Sequence, residues 1–204
     1  MRELILKMSI SLDGFVAGPN GELDWVFGTD PAPKAWTVEK ISNASLHIMG
    51  SRAFRDMASV WQTSTLPFAA PMNQIPKAVF SRQGPAVLKA AANIPAEQLQ
   101  PGGESWLKAY VAGGDLTEEI TRLKAQDGKP IIAHGGASFA RSLVAQNLVD
   151  EYALLVIPIA LGKGLPIFSE GRCLGAIGAS GVRANQDEEC VRAGLVAAGF
   201  QETP

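Results

Sequence analysis

The chain has 204 residues, of which 47% are apolar and 19% charged, a composition typical of a globular protein with one sizeable core. Its formal net charge of −2 does not point to the strongly basic surface of proteins that bind nucleic acid or anionic lipid, and it leaves local basic sites for a phosphate open, because net charge does not report clustering. The longest apolar stretch, 153–161, is too short to span a membrane, and the N-terminus lacks the pattern of a signal peptide. These features predict a cytoplasmic protein with two lone thiols, Cys173 and Cys190, that binds neither nucleic acid nor a membrane.

The first half of the chain predicts strands that alternate with helices. Residues 4–10 alternate in polarity like a strand, and the glycine-rich loop 11–21 follows. The further expected elements are a helix over 34–44, a strand over 46–49, a helix from 51 and a strand over 77–81. The stretch from 82 to 114 is rich in proline and glycine. It predicts a long surface excursion with one strand around 106–111.

The second half continues the alternation. Asp115 and Glu118 have the spacing of a capping box, which predicts a helix to about residue 126 with Leu116, Ile120 and Leu123 on one stripe. A strand over 130–134, a helix over 137–146 with Phe139, Leu143 and Val144 inward, and a strand over 151–159 covered on both faces come next. A hairpin is expected over 181–198. Residues 1–204 thus predict one three-layer α/β/α domain, with a mixed, mostly parallel central sheet and a C-terminal β-hairpin.

Three predicted strands end in a small residue or a glycine before a turn or helix. These ends are Gly50, Ser51 and Arg52; Ser81 and Arg82; and Gly135, Gly136, Ala137 and Ser138. Strand ends of an open α/β sheet lie along one edge, and a helix N-terminus there offers free N–H groups to a phosphate. Each end alone is equally an ordinary turn, and each arginine alone an ordinary solvated side chain. Their combination predicts a dinucleotide site with room for a 2′-phosphate.

Asp13 is the acidic residue that the pattern singles out, because it follows the first strand directly and precedes Gly14. Its carboxylate could face a ligand cleft, or it could form a turn by bonding to nearby backbone. His47 and His134 lack the spacing of a metal site or a catalytic triad, and both are interpreted as ordinary strand residues.

Several of these segments resemble, in order and spacing, the reductase half of bacterial riboflavin-biosynthesis deaminase/reductases. The motifs that carry the resemblance are residues 11–18 (SLDGFVAG), 48–52 (IMGSR), 79–82 (VFSR), 115–124 (DLTEEITRLK), 134–138 (HGGAS), 148–152 (LVDEY) and 158–168 (PIALGKGLPIF). That family has the dihydrofolate reductase fold, uses NADPH and often forms homodimers. The resemblance extends over about residues 4–168, without a deaminase domain.

The resemblance implies a role for each candidate residue. Val16 and Ala17 would border the nicotinamide, and Asp13 would lie on the substrate side. Gly50, Ser51 and Arg52 would open one phosphate-binding helix. Ser81 and Arg82 would hold the 2′-phosphate of the adenosine, and Gly135, Gly136, Ala137 and Ser138 would cradle the pyrophosphate.

The substrate is the least determined part of this prediction. The leading hypothesis is an NADPH-dependent reductase of a small molecule, with 5-amino-6-(5-phosphoribosylamino)uracil of riboflavin synthesis as the named candidate. Phe15 stands where the family tends to have a basic residue suited to a phosphorylated sugar. It therefore equally favours a different carbonyl, imine or pterin-like acceptor. The remaining alternatives are a nucleotide-binding homologue without turnover and a structural dimer without a ligand. Glu39 is a weak match to the buried carboxylate of dihydrofolate reductase.

Overall fold

The computed structural model of the chain describes residues 1–18, 20–26, 31–161, 165–169 and 172–177. The chain forms two compact units, of which the first consists of Met1–Lys7 and Asp30–Ala153 and the second of Met8–Thr29 and Leu154–Pro204. The single domain over residues 1–204 stays a prediction. No helix among the described residues is both long and apolar enough to cross a bilayer.

Eight strands and five α-helices make up the described chain. The strands are β1 Leu4–Ser11, β2 Leu46–Gly50, β3 Lys77–Phe80, β4 Tyr110–Ala112, β5 Ile131–His134, β6 Glu151–Ile157, β7 Leu165–Ser169 and β8 Arg172–Ile177. The helices are α1 Pro31–Ser42, α2 Ser51–Trp61, α3 Ala69–Gln74, α4 Leu116–Lys124 and α5 Ala137–Ala145. Four 3-10 helices lie at Asp24–Val26, Gly84–Ala91, Ala96–Gln98 and Gly103–Trp106.

Six strands form one sheet in the order β4-β3-β2-β5-β1-β6, and the pairs β4–β3, β3–β2, β2–β5 and β5–β1 are parallel. The central strands are buried on both faces: Leu4 and Ile5, like Ile131 and Ile132, are at most 6% exposed. This burial is typical of parallel strands, because the crossover helices cover both faces of the sheet. The predicted mostly parallel α/β architecture is confirmed.

The helices of the first unit lie on the two faces of this sheet. On one face, α1, α2 and α3 pack against Met49 and Val79 in one hydrophobic cluster. On the other face, Phe139 of α5 lies directly against Gly50 of β2. Helix α4 begins where the capping box predicts, because the Asp115 carboxylate accepts a hydrogen bond from the Glu118 N–H at 3.1 Å.

The prediction of a surface excursion over 82–114 is wrong. Trp106 is fully buried in the main cluster, and its indole N–H donates to Asn73 Oδ1 at 2.8 Å. Gln62, also fully buried, donates to the carbonyls of Ala91 and Gly103. Gln62 thus satisfies backbone carbonyls that would otherwise keep an irregular segment at the surface, and the Trp106–Asn73 bond satisfies the buried indole. The expected strand lies at Tyr110–Ala112, after a 3-10 turn that ends at Trp106.

Two predictions of burial are also wrong. Strand β6 is at the edge of the sheet and exposes Tyr152, Leu154 and Val156, so it is not covered on both faces. Val144 of α5 is 45% exposed, whereas Leu143 is buried. The hairpin expected over 181–198 lies outside the described residues. The described antiparallel pair is β7–β8, in the second unit.

Candidate functional site

Three neighbouring strands of the first unit end at one level of the sheet. Gly50 pairs with Phe80, and Gly135 comes two residues after the Ala133 that pairs with Ile48. Adjacent strands lie about 4.8 Å apart. The turns that follow the three strands are therefore neighbours along the carboxyl edge of the sheet, where ligands of open α/β sheets usually bind.

Two helices start at this edge without a side-chain cap. Helix α2 follows Gly50 and α5 follows Gly136, and neither glycine can cap a helix with a side chain. Neither helix has an acidic residue in its first turn. Helix α4 starts differently, because Asp115 caps it and Glu118 and Glu119 occupy its first turn. The N-termini of α2 and α5 thus keep the N–H groups and the positive dipole end that suit an anion, and the N-terminus of α4 does not.

The glycines at the two uncapped helices differ in what surrounds them. A Cβ on Gly50 would come within 3.0 Å of Phe139 Cβ, so this glycine allows α5 to pack against β2. A Cβ on Gly136 would meet no atom of the described part of the chain within 4 Å. Packing therefore does not require a glycine at 136. Open space in front of a helix N-terminus fits a phosphate that approaches the backbone closely.

Ser81 and Arg82 follow β3 at the same edge. The Ser81 N–H donates to the Ala112 carbonyl at 3.0 Å, and the buried Ser81 hydroxyl accepts from the Gln83 N–H at 3.1 Å. This turn leaves the Arg82 side chain exposed, as is Arg52 in the first turn of α2. The first unit thus brings together nine of the predicted cofactor residues, namely Gly50, Ser51, Arg52, Ser81, Arg82, Gly135, Gly136, Ala137 and Ser138.

The remaining predicted site residues, Asp13, Val16 and Ala17, lie in the loop of the second unit that follows β1. Asp13 is only 5% exposed, and its carboxylate accepts from the Ser11 hydroxyl at 2.5 Å and from the Leu161 N–H at 3.1 and 3.2 Å. The Ser11 hydroxyl in turn accepts from the Phe15 N–H at 2.9 Å. Asp13 therefore holds the loop that carries Val16 and Ala17, both of them half-buried. Its partner Leu161 is far away in the sequence, so local turn chemistry could not have predicted it.

One face of the sheet in the first unit carries a row of basic side chains that the sequence interpretation missed. Lys77 pairs with His47 across β3 and β2, and Lys7 pairs with His134 across β1 and β5. The two buried imidazoles are in edge-to-face contact, with 4.7 Å between ring centroids. Both histidines lie within strands, as predicted.

Burial determines how this row titrates. It lowers the pKa of His47 to about 4, that of Lys77 to about 7 and that of Lys7 to about 8. No described residue accepts a hydrogen bond from the Lys7 ammonium. The signal in the sequence that could have revealed this row is Lys7, a lysine directly after the apolar run of residues 4–6.

Glu39, the weak match to the buried carboxylate of dihydrofolate reductase, is exposed on α1, so it is not a buried carboxylate.

Comparisons with known proteins complete this picture. Two proteins of Bacillus subtilis (strain 168) are similar in sequence: the uncharacterized protein YyaP is 27% identical over 174 residues, and the uncharacterized protein YwjB is 22% identical over 169. The alignments cover 82% and 83% of this chain and 80% and 84% of the two relatives, respectively.

A solved structure and a family profile also match. A protein of Shewanella sp. PV-4 assigned to riboflavin biosynthesis superposes with a TM-score of 0.52 at 21% identity, over 78% of each chain. This likeness supports the fold alone, and the predicted dihydrofolate-reductase-like α/β fold is confirmed. The profile of the RibD C-terminal domain family matches residues 2–190. Because the profile covers nearly the whole chain, this protein belongs to the RibD C-terminal domain family and has its reductase-like fold.

Proposed function

We propose that this protein is an NADPH-dependent reductase that delivers a hydride to a small molecule. The observation that carries the proposal is the pair of uncapped helix N-termini, α2 and α5, at adjacent strand ends with open space at Gly136. Such N-termini fit the phosphates of a dinucleotide. Bound NADPH would supply the hydride, and membership of the RibD C-terminal domain family supports that chemistry.

In this proposal each part of the chain has a distinct task. The backbone at Ser51, Arg52, Ala137 and Ser138 binds phosphate groups. Arg82, exposed on the same edge, pairs with the 2′-phosphate that distinguishes NADPH from NADH. The 11–18 loop, which Asp13 holds, places Val16 and Ala17 beside the nicotinamide. The second proposed role of Asp13 is to orient the acceptor or to help deliver a proton.

Lys7 is a second candidate for the proton transfer. It pairs with His134 at the end of β5, directly before Gly135, and its side chain is half-buried. A pKa of about 8 lets this amine gain and lose a proton near neutral pH.

Two classes of acceptor are candidates. Membership of the RibD C-terminal domain family favours 5-amino-6-(5-phosphoribosylamino)uracil. A carbonyl, imine or pterin-like acceptor follows from Phe15, which stands half-buried in the loop.

The decisive experiment is a titration of the protein with NADPH and with NADH, followed by nicotinamide fluorescence. We expect tight, saturable binding of NADPH and weak binding of NADH. A screen of the two acceptor classes for NADPH oxidation then separates an enzyme from a nucleotide-binding protein without turnover. Equal, millimolar binding of both cofactors would contradict the proposal, because no 2′-phosphate recognition would exist.

The role of Asp13 is tested with Asp13→Asn, which keeps the size of the side chain and one acceptor oxygen. We expect this variant to fold and to bind NADPH, while turnover falls by about a hundredfold if the carboxylate acts in the chemical step. Wild-type turnover in Asp13→Asn would leave Asp13 as a loop anchor. Loss of turnover in Lys7→Met, with NADPH binding retained, would then assign the proton transfer to Lys7.

A homodimer is the assembly that we propose. Tyr152, Leu154 and Val156 alternate along the edge strand β6 and are 53%, 43% and 52% exposed, respectively. An exposed apolar row on an edge strand favours association with a second copy. Light scattering of the wild type and of Leu154→Lys tests this, and a monomeric wild type would contradict it.

A further inference from the structure

A cavity of about 490 Å³ lies at the amino edge of the sheet in the first unit, opposite the strand ends described above. It lies where β2, β3 and β4 begin, and residues from before β1 and from the end of α4 complete its wall. Its charged and hydroxyl side chains are those of Arg2, Ser45, Lys77, Ser105, Lys108, Tyr110 and Arg122. No described aspartate or glutamate lines it. We refer to it as the cationic cavity.

Two of its cations are buried and are held only by neutral acceptors. Arg2, 7% exposed, donates to the Leu123 carbonyl at 2.7 and 3.2 Å, to Ser45 Oγ at 3.1 Å and to Gln126 Oε1 at 2.7 Å. Lys77, 2% exposed, donates to the Ile75 carbonyl and Ser105 Oγ, each at 2.7 Å, and to the Asn73 carbonyl at 3.3 Å. Neither forms a salt bridge with a carboxylate in the described part of the chain.

The nearby carboxylates do not neutralise these cations. Glu119 forms an ion pair with Arg122 at 2.5 Å and accepts a hydrogen bond from the Tyr110 hydroxyl, so its negative charge balances Arg122 and not Arg2 or Lys77. Glu104 raises the pKa of Lys77, but burial outweighs it and the pKa falls to about 7. Lys108 is exposed at the rim and adds a further positive charge. Since buried charges are normally paired, Arg2, Lys77 and Lys108 leave an excess of positive charge at one cavity.

We propose that the cationic cavity binds a small phosphorylated molecule. A phosphate group carries between one and a half and two negative charges near neutral pH, enough to balance both buried cations, whereas a single carboxylate balances one. Arg2 has an Nη1 N–H beyond its four hydrogen bonds, and the exposed Lys108 ammonium at the rim offers further donors, whereas the hydroxyls of Ser45 and Tyr110 already donate to the Lys129 carbonyl and to Glu119. The volume accommodates the organic part of a small metabolite.

Inorganic phosphate is the probe for this site, with chloride at equal ionic strength as the reference. The full-length protein, with ¹³C-labelled lysine, is titrated with pH while the Lys77 side-chain resonance is followed by NMR. We expect phosphate to raise the pKa of Lys77 by about one pH unit, because a bound anion favours the charged amine. A Lys77 resonance that titrates identically in phosphate and in chloride would overturn the proposal.

Two charge-reversal variants locate the binding. Lys108→Glu should weaken phosphate binding by roughly tenfold or more, because one charge-assisted contact becomes a repulsion. Lys89→Glu changes the net charge equally at an exposed lysine that does not line the cavity, and it should leave binding unchanged. The effect on Lys77 should also persist in Arg82→Ala, which alters only the opposite edge. Equal losses in the two lysine variants, or loss of the effect in Arg82→Ala, would refute a site at the amino edge.

Discussion

The two edges of the sheet in the first unit attract anions by different means, although the same strands end at both. At the carboxyl edge, the positive groups are backbone N–H groups at the starts of α2 and α5, which glycines leave uncapped. At the amino edge they are buried side chains, and Arg2 and Lys77 donate to carbonyls at the ends of α4 and α3. Parallel strands impose this difference, because every crossover helix starts near a carboxyl end and finishes near an amino end.

Glycines and cations therefore carry different information at the two edges. A glycine before a helix at the carboxyl edge points to a ligand only when packing does not require it, as at Gly136 and unlike Gly50. At the amino edge Arg2 and Lys77 satisfy helix carbonyls, and a buried cation there points to a ligand only when its charge stays uncompensated.

Gly136→Val should abolish most cofactor binding without unfolding the protein. A branched side chain at the start of α5 blocks the approach of the pyrophosphate. The loss of two charged hydrogen bonds of about 1.5 kcal/mol each corresponds to roughly a hundredfold weaker NADPH binding. Because a Cβ there meets no atom within 4 Å, the free energy of unfolding in urea should change little.

The matched control is Gly50→Ala, whose methyl group would press on Phe139. This variant should lose stability, by about 1–3 kcal/mol as in other overpacked sites. If Gly136→Val is the less stable of the two and binds NADPH normally, Gly136 is a packing residue.

The pH dependence of stability separates the contribution of buried ionisable side chains from that of backbone N–H groups, because backbone N–H groups do not ionise near neutral pH. An unfolded His47 takes up its proton near pH 6.5, but the folded one does so only near pH 4. Between these values the unfolded state binds more protons, so the free energy of unfolding decreases as the pH is lowered through that window. We expect a loss of about 3 kcal/mol on this account, measured by urea unfolding at a series of pH values.

His134→Leu sharpens this measurement. The pKa of His134 also lies well below its usual value, because burial and the neighbouring His47, Lys7 and Lys77 oppose its charge. Its Nε2 is buried and has no hydrogen-bond partner among the residues that the structure describes, so leucine removes a titrating group without breaking a bond there. In this variant the free energy of unfolding should decrease less as the pH is lowered than it does in the wild type. An unchanged dependence on pH would contradict the lowered pKa of His134.

Arg82→Ala should weaken NADPH binding by roughly ten- to a hundredfold and leave NADH binding nearly unchanged. One charged hydrogen bond to a phosphate contributes about 1.5–3 kcal/mol, and only NADPH carries the 2′-phosphate. Competition titrations with the two cofactors measure the ratio directly. An equal loss for both would mean that Arg82 acts on a part of the cofactor that the two share.

Asp115→Ala tests the helix that has a side-chain cap, and it should have the smallest effect. Removal of the cap of α4 should cost about 1 kcal/mol of stability in urea unfolding. NADPH affinity should stay at the wild-type value, because α4 starts with acidic residues and is not part of the proposed phosphate site. A strong loss of NADPH binding in this variant would mean that the N-terminus of α4 contributes to cofactor binding, as those of α2 and α5 are proposed to do.

Local patterns were sufficient where a residue acts on its own neighbours in the chain. The Asp115–Glu118 spacing located the start of α4, and the sequence pattern located the strand ends before Ser51, Ser81 and Gly136, where phosphate binding stays a prediction. These element boundaries were predictable because caps, turns and strand ends depend on interactions within a few residues. The same logic failed at 82–114, where Gln62 and Asn73, distant in sequence, provide the hydrogen bonds that let the segment pack inward.

Alternating strands and helices predict a parallel strand order, so the class of fold, the order of most elements and the residues at the carboxyl edge were predictable from the sequence. The packed chain was needed to show that Gly50 is required for packing and Gly136 is not, that Asp13 is bound to Leu161, and that Arg2 and Lys77 share one cavity. Each of these depends on atoms brought together from distant parts of the chain. Their spacing in the sequence contains no signal for such contacts, because burial and charge balance arise only when the elements pack.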